Sequence, residues 1–100
     1  MIDRSKPYTW GKRKQNELIL AFRREAYEEA VKAYYYYGES IPLEELVSCA
    51  YVGLVASARR YEPDQGIFWP YAYRFIRWEI WDTVAYYKRH NTLQFFPHFT

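Results

Sequence analysis

Apolar residues recur at steps of three and four along three stretches of this chain. From Lys14 to Tyr37, Leu18, Phe22, Ala26, Ala30, Ala33 and Tyr37 keep that spacing, with Ile19, Val31 and Tyr34 beside them. Lys and Glu fill many of the remaining positions. The pattern predicts an amphipathic helix, ended at Gly38 by left-handed backbone. The second stretch opens around Pro42, a residue favoured in a helix's first turn. Glu44 and Glu45 follow, at the positive end of the helix dipole. Leu43, Leu46, Val47, Ala50, Leu54 and Ala58 form its apolar stripe. Gly53 interrupts this helix at a cost of about 1 kcal/mol relative to Ala, which points to a close helix crossing there. YEPDQG at 61–66 reads as a turn. The third stretch begins near Trp69-Pro70 and runs to about Arg89. Its stripe is Ala72, Phe75 or Ile76, Ile80, Thr83 or Val84, and Tyr87. No alternating strand pattern survives. The reading is an all-α fold, a small bundle of three main helices over residues 14–90. A basic N-terminal arm, 1–13, precedes it, and a C-terminal tail, 91–100, follows.

Charge is unevenly spread. Residues 1–14 hold five basic groups against one acid, residues 15–65 five against nine, and residues 66–100 four against two. A bipolar molecule fits this better than a uniform coat for nucleic acid. The single cysteine, Cys49, excludes an internal disulfide and a cysteine-based zinc site, and His90 and His98 stand apart. No cofactor and no metal are expected. Nothing resembles a signal peptide or a transmembrane run, so a cytoplasmic, reducing compartment is the default.

Aromatic residues number 22, 12 of them Tyr. That exceeds what a helical core of this size needs, so some rings should be exposed. On the third helix, Tyr71, Arg74, Trp78, Trp81, Ala85 and Lys88 share one face, and Arg77 adds a further cation. Rings at helical spacing are usually core. Here the aliphatic stripe already supplies a core, and the cations would be poor core residues. The face is therefore read as an exposed platform of rings and cations, suited to unstacked bases and phosphates. A membrane surface is a weaker match, because Glu79 and Asp82 interrupt the basic face. Catalysis has no support: Glu44-Glu45 suits a helix start, and Cys49 has no nearby His in sequence. The protein is read as no enzyme.

The ordered set Glu45-Leu46-Val47, Gly53-Leu54, Tyr61-Glu62-Pro63, Gly66, Phe68-Trp69-Pro70-Tyr71-Ala72 and Ile76-Arg77 resembles region 2 of the sigma-70 family. These are the promoter-specificity subunits of bacterial RNA polymerase. The resemblance covers roughly residues 15–90 and is looser over the first helix. It implies two partners. One is core RNA polymerase, whose largest subunit offers a coiled coil. Glu45, Ser48, Cys49, Tyr51, Val52 and Val55 would lie on or near that contact. The other is promoter DNA, read at the minus-ten element as a single strand with one adenine flipped out. Tyr71 matches the stacking tyrosine and Tyr61 an aromatic lining the pocket. Arg77 matches an arginine of the motif, and Arg60 a basic residue near the phosphates. Trp78 and Trp81 match positions that read the upstream edge. Arg74 and Phe75 stand where primary members carry two tryptophans, and Lys88 extends the basic face. Ser48-Cys49-Ala50 replaces the usual Gln-Glu-Gly.

A complete factor also carries a helix-turn-helix domain for the minus-thirty-five element. The resemblance therefore implies a second sigma-like protein that supplies it. The alternative is a sigma mimic that occupies polymerase or an anti-sigma factor and regulates by competition without reading DNA.

Overall fold

The computed structural model describes residues 11–90. Three helices make up the fold: α1, Lys12–Tyr36; α2, Leu43–Arg60; and α3, Phe68–Arg89, with a 3-10 turn at Pro63–Gln65. The all-α expectation holds, and no strand occurs among the described residues. The middle helix α2 packs along both neighbours, whereas α1 and α3 meet over a shorter length.

α1 begins at Lys12, so Lys12 and Arg13 of the predicted arm are helical. Residues 1–10 of that arm and the tail at 91–100 lie outside the described residues. Gly11 caps the start without a side-chain hydrogen bond, and no acid occupies the first turn. Tertiary packing therefore holds this helix more than its own termini do. Ala26 and Ala30 are fully buried on its inner face, where their small size admits α2. The outer face carries ion pairs Lys14–Glu17 and Arg24–Glu28, which contribute little at such exposure, while Lys32–Glu29 lies at the side facing α3.

The chain leaves α1 through two consecutive left-handed residues, Gly38 (φ 69°) and Glu39 (φ 62°). Their amides bond the carbonyls of Tyr35 and Tyr34 at 3.1 and 2.8 Å, satisfying the end of the helix. Ile41 then plugs the core at 0% exposure. Pro42 sits at the N-cap of α2, one position before the first turn.

Leu46, Ala50, Leu54 and Ala58 are fully buried, as the spacing predicts. Ser57 is buried among them, and its hydroxyl donates to the Leu54 carbonyl at 2.7 Å. The Gly53 crossing is real: a Cβ there would lie 2.6 Å from Ile76 Cα and 2.8 Å from the Phe75 carbonyl oxygen. The backbones of α2 and α3 touch at this point.

Between α2 and α3, the Glu62 amide donates to Gln65 Oε1 at 2.9 Å. Gly66 follows with φ 89° and ψ −155°, a region open essentially to glycine alone. α3 starts at Phe68, one residue before the predicted Trp69-Pro70. Phe68, Ala72, Ile76, Ile80 and Val84 form its buried stripe at a strict step of four. The Phe22 ring stacks on Trp69 with centroids 5.7 Å apart, tying α1 to the start of α3. Lys88 and Arg89 lie in the last turn, where the dipole favours cations.

Candidate nucleic-acid interface

The buried stripe of α3 decides what remains on its surface. With Ile76 and Ile80 turned inward, residues 71, 74, 75, 78 and 81 must point sideways or out.

At the edge shared with α2, Tyr71 and Phe75 sit one turn apart with ring centroids 5.0 Å from each other. Phe75, one of two core candidates at that step, is half-buried here, and Ile76 takes the core place. The Arg60 guanidinium, from the last turn of α2, lies 6.0 Å from the Phe75 ring centre. The Tyr61 ring backs this pair, 5.6 Å from Tyr71 and edge-on to Phe68 at 5.2 Å. Tyr61 itself is only 6% exposed, and its hydroxyl donates to the Gly66 carbonyl. It supports Tyr71 from inside and presents little surface of its own. A concavity of about 390 Å³ opens beside Tyr71, lined by Gln65, Ile67, Pro70 and Arg74. This arrangement offers a ring face, a cation and an open space large enough for a flat group.

Further along α3, Trp78 and Trp81 are 69% and 54% exposed. Rings of that size in water mark an interaction surface. They line a groove of about 550 Å³ with Tyr73, Arg74, Arg77 and Asp82. Arg77 is held from below: its Nη1 donates to the Tyr73 hydroxyl at 3.2 Å, and its guanidinium lies 5.6 Å from that ring's centre. The Tyr73 bond raises the Arg77 pKa further above its already high value. Tyr73 was missed in the sequence reading. Its signal was present as a Tyr–Arg pair four residues apart, which meet on a helix. Lys88 lies one helical turn beyond Val84, exposed at the far end of the same helix.

The residues matched to the polymerase contact divide into two groups on α2. Tyr51 and Val52 are exposed, and Val55 is half-buried beside them. They line a groove of about 550 Å³ with Ala56, Arg59 and Arg60. Ser48 is exposed on the same side. Glu45 and Cys49 instead reach across to α3. Cys49 Sγ lies 2.9 Å from Thr83 Oγ1, and burial pushes its thiol pKa up. The Tyr87 hydroxyl donates to Glu45. That bond, reinforced by partial burial, pushes the Tyr87 pKa up to about 12.

None of the described helices is long and apolar enough to cross a membrane. The family model described as Sigma-70 region 2 matches residues 24–90, the second half of α1 and all of α2 and α3. Comparison with curated proteins and with solved structures gives no match.

Proposed function

The chain belongs to the sigma-70 region 2 family, and on that premise we propose that it binds core RNA polymerase and holds minus-ten promoter DNA as a single strand. Membership makes it a transcription-factor domain. The finer reading rests above all on the Tyr71–Phe75–Arg60 edge. Tyr71 and Arg74 line an open concavity, with Phe75 and Arg60 next along that edge, an arrangement that suits one unstacked base and its phosphate. Stacking on such a ring contributes roughly 1–3 kcal/mol per base.

The strand continues along α3, where Trp78 and Trp81 offer ring faces and Arg74, Arg77 and Lys88 offer cations. The apolar strip of exposed Tyr51 and Val52 and half-buried Val55 on α2 takes the polymerase. Glu45 and Cys49 act differently: they hold α2 against α3 and so fix the angle between the two surfaces.

The test uses bacterial core RNA polymerase and a labelled A/T-rich single strand. Val52→Glu should release the chain from polymerase. Tyr71→Ala and Trp78→Ala should keep polymerase binding but weaken strand binding by about fivefold or more, the lower end of one stacked ring. No association with polymerase at low salt would remove the polymerase contact. Strand binding unaffected by either ring would favour a mimic that competes without reading DNA.

A further inference from the structure

We propose that the cleft between the C-terminal half of α1 and the middle of α3 is a second base-binding site, taking one unstacked nucleotide as ring plus phosphate. The cleft has a volume of about 450 Å³, within the roughly 300–1,000 Å³ range of small-ligand sites. Tyr37 lines it from the end of α1 and Trp81 from α3, so ring surfaces approach from two elements. Cations also come from both helices: Lys32 on α1 and Arg77 on α3.

Both cations are oriented before any ligand arrives. Lys32 is held by Glu29 at 3.1 Å and Arg77 by Tyr73 at 3.2 Å. An ammonium has three donors and a guanidinium five, so these bonds leave others for a phosphate. Glu29, the carboxylate at the rim, accepts from Lys32 through Oε2, and a carboxylate has further lone pairs for a base's exocyclic amine.

Position strengthens the assignment. Arg77, Tyr73 and Trp81 line both this cleft and the groove on the outer face of α3. The two concavities therefore adjoin across a shared wall. A strand crossing α3 would reach the cleft directly, and so would a free nucleotide. The strand source rests on the function proposed above; the free-nucleotide source does not.

Two fluorescent probes separate these sources. One is 2-aminopurine riboside monophosphate. The other is a set of A/T-rich single strands with one 2-aminopurine moved along the sequence, used with the polymerase complex. The wild type should bind at least one probe, and Lys32→Ala and Tyr37→Ala should each weaken that binding by about fivefold or more. Tyr71→Ala should spare the free nucleotide and the strand position that responds to Lys32. Lys32 is an exposed residue, so its variant keeps the fold; thermal unfolding checks the Tyr37 variant.

Strand binding that depends on Tyr71 but not on Lys32 or Tyr37, with no free-nucleotide binding, overturns the second site and leaves the proposed function intact. Free-nucleotide binding lost in both α1 variants, without any strand binding, supports the site and removes the strand reading. Binding of neither probe overturns the site. Weakening by Tyr37→Ala alone also overturns it, because the phosphate would then take no cation from α1.

Discussion

Replacing Gly53 with alanine sets two opposing effects against each other at one atom. Alanine is the better helix former, favoured over glycine by about 0.8–1.0 kcal/mol in a helix interior. Its Cβ, however, would lie 2.6 Å from Ile76 Cα, 2.8 Å from Ile76 N and 2.8 Å from the Phe75 carbonyl oxygen. Packed carbons sit about 3.5–4.0 Å apart, so α2 and α3 must separate by roughly 1 Å. All three opposing atoms are backbone, and no side-chain rotation relieves them. A gap of that size forfeits about a quarter to a half of each dispersive contact it opens. Overpacking of a tight core costs typically 1–3 kcal/mol, and a backbone clash belongs at the upper end. The net loss should be about 2 kcal/mol. For a domain of this size that lowers the thermal midpoint by roughly 8–16 °C, read by far-ultraviolet circular dichroism and checked by urea unfolding. A midpoint unchanged or raised would mean that propensity outweighs contact, and the crossing could not be a constraint on this fold.

The other predictions probe separate pieces of chemistry. Gly66→Ala meets no atom within 4 Å, so its cost is purely conformational, about 1–3 kcal/mol for the strained backbone; urea unfolding measures it. Tyr87 donates to Glu45 only as the neutral phenol, and its pKa is pushed from the ordinary value up to about 12. The unfolded chain ionises first, so this stability is complete below pH ~10 and is lost as pH climbs toward ~12. Tyr87→Phe should therefore narrow its stability gap to the wild type across that window, measured by urea midpoints at each pH. Tyr73→Phe removes the acceptor of Arg77 but keeps the charge. Single-strand affinity should fall about two- to tenfold, the worth of one ordinary hydrogen bond. The slope of affinity against salt should stay unchanged, because the same phosphates are neutralised.

The bundle was legible because its buried stripes repeat. Ala50, Leu54, Ala72 and Ile80 could be placed from spacing alone, the choice between Phe75 and Ile76 needed the fold, and the cost of Gly53 announced its crossing. Ile41 and Tyr61 were harder. Each lies in a connection with no period, and only the closed fold shows how deeply it is buried. The candidate site divides in the same way. Exposure of Trp78 and Trp81 followed from the helical face. The Tyr73–Arg77 pair is a four-residue step, but spacing alone does not separate a ring that holds a cation from one that neighbours the buried stripe. The cleft between α1 and α3 was not legible at all. It depends on how two helices distant in sequence are inclined, and no local pattern carries that angle. The reach of Glu45 and Cys49 to α3 was hidden for the same reason, since their partners lie 42 and 34 residues away.

Arg59 and Arg60 both line the outer groove of α2, and Arg60 also stands over the Phe75 ring. The last turn of α2 is therefore shared property. A partner that rotates or unwinds it to gain Arg59 must also swing Arg60 relative to the Tyr71–Phe75 rings. Arg60 thus belongs to the α2 groove and to the edge of the Tyr71–Phe75 rings at once, so the two surfaces share a side chain and cannot be rearranged separately.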